Sequence, residues 1–207
     1  MFDVYVPFCD WMQNPLLSSI QIFIIGCIIH PTTLIGDYVI QYQGMDVALV
    51  VIDVQNKFYR VTEGLEASVD RHIGTMNDAM ELFRSNGSPV IRVQFDGLND
   101  CTANDIEDPE GFVPGLACAD TDIIVHKGFM NSFRESELEK AIKDTGCRCI
   151  VLVGLVAHLC VLATYFRAFD IDLEPWILKG GIAATDEGNV DHVEAICRVV
   201  SLDDLRP

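Results

Sequence analysis

Positive charge is the scarcest thing in this chain: 14 lysines and arginines stand against 31 acidic residues, leaving a formal net charge of −17. A nucleic-acid backbone or an anionic membrane surface needs a cationic footprint, and nothing here supplies one. Long apolar runs are missing too. The longest, Ile20 to Ile29, is broken by Gln21 and ended by His30-Pro31, well short of the roughly 20 residues of a bilayer span. Residues 1 to 15 hold Asp3 and Asp10 but no Lys or Arg, so the basic region that opens a secretory signal is absent. Repeats, heptads and low-complexity tracts are absent as well. The eight cysteines (9, 27, 101, 118, 147, 149, 160 and 197) are scattered, and the one close pair, Cys147-Arg148-Cys149, has no second pair at zinc-site spacing. A chain of 207 residues with half of them hydrophobic needs no disulfide staples, so reduced thiols and a cytoplasmic setting are the expectation.

What is present is an alternating pattern. Apolar, β-branched runs at Ala48–Val54, Val90–Phe95, Asp122–Val125, Cys149–Gly154 and Leu173–Leu178, with a short last run at Val199–Leu202, are separated by stretches of helical period. Val69, Ile73, Met76, Met80 and Phe83 recur at steps of three and four along one helical face, and Asn86-Gly87-Ser88-Pro89 ends that helix. Ser136-Glu137-Leu138-Glu139 fits a capping box opening a helix to about Gly146. Continuous apolar strands joined by helices predict an α/β fold, a three-layer α/β/α sandwich around a mostly parallel, Rossmann-like sheet of about six strands. Residues 1–44 read as an N-terminal extension and residues 45–207, from Met45, as the functional domain. The aperiodic stretch from Asp96 to Asp120 is rich in Asp, Gly, Pro and Asn, and long enough to form part of a site.

In such a sheet ligands sit outside the carboxyl ends of the strands. Three reactive side chains fall there: Asp53 after the first strand, Lys127 at the end of the third, and Cys160 after the fourth, where a helix begins. Each has an ordinary structural reading, as a cap, a solvated charge and an inert core thiol. Together they make a different pattern. A helix N-terminus and a lysine favour a thiolate, and a neighbouring carboxylate can accept and return its proton. Asp53 is the oddest of the three, since it interrupts a buried apolar strand where an unpaired carboxylate is costly.

Three motifs, ALVVIDVQNKF (48–58), VHKGFMNSF (125–133) and VLVGLVAHLCVLATYFRAFD (151–170), resemble those of the isochorismatase-like cysteine hydrolases, a superfamily that includes nicotinamidases and N-carbamoyl-amide hydrolases. The resemblance spans Asp46 to Ala184. It implies Asp53 as general base and acid, Lys127 as the charged third member, Cys160 as nucleophile, and a cis peptide at Leu155–Val156 that aims the Val156 and Cys160 N–H groups at one point as an oxyanion hole. It also implies hydrolysis of a small amide or carbamoyl compound without an organic cofactor, in a homo-oligomer. Phe58, Phe133, Asp96 and His158 are candidate pocket residues. The relatives that act as nicotinamidases carry an Asp-x-His metal motif where this chain reads Asp96-Gly97-Leu98, with no His, so no metal is expected. His158 replaces the usual loop residue beside the nucleophile, either as a partner of Cys160 or as a loop residue. True isochorismatases lack the nucleophilic Cys; an ether hydrolase of that type, a non-catalytic binding protein and a thiol-redox protein remain the alternatives.

Overall fold

The computed structural model describes residues 47–96 and 106–206; the N-terminal extension and the middle of the long loop lie outside the described residues. The described chain runs β1 (Val47–Ile52), α1 (Asn56–Tyr59), α2 (Glu63–Ser85), β2 (Val90–Phe95), β3 (Ile123–Lys127), α3 (Leu138–Asp144), β4 (Cys149–Leu155), a π-turn (Ala157–Val161), α4 (Leu162–Phe169), β5 (Glu174–Ala183), α5 (Glu187–Ile196) and β6 (Val199–Val200). The six strands form one sheet in the order β3-β2-β1-β4-β5-β6, with every neighbouring pair parallel.

Both faces of that sheet are covered, which is why its central strands are apolar throughout: all residues of β1 and of β4 are buried. One face packs Val47, Leu49 and Val51 against Val69, Met76, Met80 and Phe83 of α2. The other packs Ala48, Val50 and Ile52 with Leu138 and Ile142 of α3, Tyr165 of α4 and Val193 of α5. Each such side chain contributes about 1.5–3 kcal/mol on burial, so the two apolar layers fix the sheet and the strand ends with it.

Local signals set most boundaries. The Thr62 hydroxyl accepts from Leu65 N–H at 3.1 Å and opens α2, with Glu63 and Glu66 in its first turn; Gly87 at φ +73° ends it. The start of α3 and the end of β5 differ from the sequence reading. The capping box at Ser136 does not form: the Ser136 hydroxyl donates to the Ser132 carbonyl and accepts from Leu138 N–H, and α3 starts one residue later, after Glu137, which makes no side-chain cap. Strand β5 runs on to Ala183, because a register shift opposite Leu152–Gly154 lets the chain pass Gly180 and resume pairing at Ile182. Helix α5, which has only a short apolar stripe, starts where Asp186 accepts from Gly188 N–H at 2.8 Å. Among the described residues no helix is long and apolar enough to cross a membrane.

Candidate active site

The strand order reverses between β1 and β4, and the crevice at such a switch point is where a doubly wound sheet takes its ligand. Asp53 follows β1 there and Cys160 follows β4. The two strands close on each other at Gly154, at φ +111°, where a Cβ would fall 2.2 Å from the Ile52 carbonyl oxygen. Only glycine fits, and the approach carries the two functional residues toward one another.

Asp53 has φ +55°, in the left-handed region that non-glycine residues seldom occupy and that clusters at functional sites. Its N–H donates to the Val93 carbonyl at 3.1 Å and its own carbonyl accepts from Gln55 N–H at 2.7 Å, so the kink is clamped on both sides. The side chain is 1% exposed. Lys127 Nζ stands 2.8 Å from Oδ2, yet neither carboxylate oxygen receives a well-aligned hydrogen bond: the link is a charge contact. Lys127 itself, at the last position of β3, is well held. Its ammonium also donates to the Met130 carbonyl and to the Ser132 hydroxyl, both at 3.2 Å, and lies 5.6 Å from the centre of the Phe95 ring.

Cys160 sits in the π-turn, half-buried, against both of these groups. Burial pushes its thiol up to about 12; the Asp53 charge adds to the rise and Lys127 opposes it. Burial also raises the Asp53 carboxyl above the usual carboxylate range, with Lys127 as the strongest opposing influence. Lys127 favours the thiolate, but burial is the larger influence on the Cys160 proton. The resting proton stays on sulfur, beside a carboxylate made unusually basic by the same burial. The Leu155–Val156 peptide is cis, and the Val156 carbonyl accepts from Leu159 N–H at 2.9 Å and from Val161 N–H at 3.4 Å, bonds that flank Cys160 on either side.

The candidate pocket residues separate. Phe58 is half-buried and packs edge-on against Phe95, ring centres 5.8 Å apart. Phe133 is buried in the apolar cluster with Leu138 and Ile142. His158 is half-buried with an Nδ1 that has no hydrogen-bond partner among the described residues; the charged groups that act most strongly on the Cys160 thiol are Asp53 and Lys127. Asp96 is exposed and does have an imidazole partner, contrary to the reading of its local motif: His126 Nδ1 lies 3.0 Å away, supplied by the neighbouring strand. Among the described residues no group of three or more His, Cys, Asp or Glu is placed to hold a metal ion.

Five residues that the sequence did not single out complete the surroundings. Gln55, fully buried, accepts from Phe95 N–H at 2.8 Å and donates to the Glu110 carbonyl at 2.9 Å, and Lys57 donates to the Phe95 carbonyl and pairs with the Glu110 carboxylate at 2.5 Å. They pin the end of β2 to the loop before β3. Ser132 and Thr164 lie between Lys127 and the Cys160 turn. A buried polar run after Asp53 hints at Gln55 and Lys57; no local signal marks Glu110, Ser132 or Thr164.

A parallel α/β sheet with an acid, a lysine and a thiol gathered at its switch point defines a hydrolase-like α/β protein. The isochorismatase domain profile matches residues 47–201, and the chain belongs to the isochorismatase family of hydrolases. It is 27% identical over 145 residues to YddQ, an isochorismatase family protein of Bacillus subtilis, covering 68% of this chain and 79% of that protein. Among solved structures it resembles N-carbamoylsarcosine amidase of Thermoplasma acidophilum (TM-score 0.64, 21% identity, 76% of this chain and 95% of the other). It also resembles the pyrazinamidase of Pyrococcus horikoshii, solved with zinc (TM-score 0.62, 18% identity, 76% and 99%). At those identities the likeness is one of fold.

Proposed function

We propose that this chain is a cysteine-dependent hydrolase that cleaves the C–N bond of a small amide or carbamoyl compound through a thioester. The observation that carries the reading is the buried arrangement in which Cys160 holds a proton beside an Asp53 carboxylate raised toward accepting it, with Lys127 balancing the charge. Asp53 takes the thiol proton as the sulfur attacks the substrate carbonyl carbon. The carbonyl oxygen becomes an oxyanion, held by the Val156 and Cys160 N–H groups. On collapse the C–N bond breaks, Asp53 passes its proton to the departing nitrogen, and ammonia or an amine leaves. Water, deprotonated by Asp53, then attacks the thioester; the acid departs and the proton returns to sulfur. Lys127 remains an ammonium throughout, which keeps Asp53 ionised at the start of each cycle.

The names of two fold relatives, an N-carbamoylsarcosine amidase and a pyrazinamidase, support C–N bond cleavage over the ether chemistry of true isochorismatases. A thiol-redox role fits poorly, because redox-sensing cysteines are readily ionised and accessible, whereas this one is half-buried and pushed up to about 12. The test is incubation with a panel of small primary amides and N-carbamoyl amino acids, following ammonia release and the intact mass of the protein. Release of ammonia together with an acyl mass on Cys160 is the expected result. Isochorismate cleavage without ammonia release from any amide would overturn it.

A further inference from the structure

Ser132 and Thr164 are both fully buried, and neither exchanges a proton in the reaction above. Donor counting gives their hydroxyls a direction. The Lys127 ammonium can only donate: it faces Asp53 Oδ2 at 2.8 Å as a charge and gives protons to the Met130 carbonyl and to Ser132 Oγ, both at 3.2 Å. Ser132 Oγ therefore accepts from Lys127 and has one proton left. Thr164 Oγ1 lies 2.9 Å from it, accepts the Ser132 backbone N–H at 3.1 Å, and donates its single proton to the Cys160 carbonyl at 2.7 Å. The remaining Ser132 proton then goes to Thr164, giving a one-way chain from Lys127 through Ser132 and Thr164 to the backbone of Cys160. Each acceptor in a chain of this kind is polarised by the donor before it. A threonine bonding back to the carbonyl four residues earlier is common in helices. Here the same hydroxyl is also gripped at two points by a residue 32 positions away in the sequence, on the loop that follows Lys127.

We propose that Ser132 and Thr164 are positioning residues of the hydrolase site: they hold the Lys127 ammonium against Asp53 and tie the cysteine-bearing turn to the lysine-bearing loop, so that acid, lysine and sulfur keep one spacing. This rests on Cys160 being the nucleophile. The chain joins the Lys127 ammonium, which faces Asp53, to the backbone of Cys160, which carries the sulfur. Movement at either hydroxyl is felt as misplacement of the sulfur or of the ammonium.

The experiment compares Thr164→Val, Thr164→Ser and Ser132→Ala with the unaltered chain by turnover, by pH profile and by iodoacetamide labelling of Cys160 read by mass spectrometry. Thr164→Val is expected to lose about tenfold or more in kcat with KM changed less than about twofold, as small misplacements of reacting groups do. Thr164→Ser, which keeps the hydroxyl, should recover to within about threefold of the unaltered enzyme. Ser132→Ala removes one anchor of the Lys127 ammonium and weakens its contact with Asp53 and Cys160, so the acid limb of kcat/KM should move to higher pH as Asp53 holds its proton more tightly, and Cys160 labelling should need higher pH. Should Thr164→Val fail to fold, Thr164→Ser and Ser132→Ala still decide the matter. Should no amide be hydrolysed, the functional reading falls, and labelling of Cys160 in Ser132→Ala alone tests the positioning. Thr164→Ser as defective as Thr164→Val, an unmoved acid limb, or unchanged labelling in Ser132→Ala would overturn the proposal.

Discussion

Two aspartates are buried beside the sheet, and they are treated in opposite ways. Asp122, just before β3, has a fully enclosed side chain. Arg84 grips both its oxygens at 2.8 Å, Arg92 Nε stands 2.9 Å from Oδ2, and Ala119 N–H donates to Oδ2 at 3.0 Å. Asp53, just after β1, is as deeply buried but has one ammonium at 2.8 Å and no aligned donor on either oxygen. Three hydrogen bonds and a second guanidinium are fixed on Asp122, so it acts as a rivet between α2, β2 and the long loop. Asp53 is under-satisfied at the switch point, where burial raises its affinity for a proton. The difference teaches what separates a structural carboxylate from a reactive one: the number of donors fixed on it, at equal depth.

The largest effect that tests this contrast falls on the sulfur that Asp53 serves. Cys160→Ala should drop amide turnover to background while leaving thermal stability at neutral pH little changed, because the thiol is un-ionised there in the folded and the unfolded chain alike; calorimetry and ammonia release check both halves. Next come the two aspartates themselves. Asp122→Asn places amide protons against two guanidinium groups and should cost on the order of 3–5 kcal/mol in urea unfolding, with kcat of the folded fraction changed little. Asp53→Asn should abolish turnover yet destabilise less, since Lys127 keeps the Met130 carbonyl and the Ser132 hydroxyl and gains the new amide oxygen. If Asp53→Asn proved the more destabilising of the pair, the contrast would fail.

What the sequence disclosed follows the same division between local and distant partners. Strand β2 could be read to the residue, Val90–Phe95, because its apolar, β-branched run is bounded by the Asn86-Gly87-Ser88-Pro89 stop on one side and by the aperiodic loop from Asp96 on the other. Asp53, Lys127 and Cys160 could be read because each lies at the carboxyl end of such a run, where parallel topology gathers them. The parts hidden from the sequence depend on register or on side chains far apart. His126 reaches Asp96 because β2 and β3 pair Gln94 with His126, and Asp122 meets Arg84 across 38 residues. The hydroxyls of Ser132 and Thr164 look like any others in a loop or helix until the fold sets them 2.9 Å apart. Charge state is the hardest to read: a lysine beside Cys160 favours a thiolate, while burial, which no short stretch of sequence displays, pushes the thiol up to about 12.

Burial of the thiols leads to the smallest and sharpest test. The Cys149, Cys160 and Cys197 thiols are each raised from 9.0 to about 12, with burial as the first cause. A folded pKa above the unfolded one means the folded protein holds the proton longer, so this contribution to stability is complete below pH 9 and drains away as pH rises toward 12. For Cys197 burial is the whole cause, whereas for Cys160 the Asp53 charge adds to it. Asp53→Asn should therefore lower the pH at which Cys160 ionises, even though it removes the base, and leave Cys197 where it was. Thiolate absorbance followed through an alkaline titration, with Cys160→Ala in both backgrounds to assign the signal, measures this at equilibrium and apart from catalysis. A midpoint for Cys160 that rose or stayed fixed in Asp53→Asn would mean that the carboxylate does not bear on the sulfur as a charge, and the line drawn between Asp53 and Asp122 would have to be redrawn.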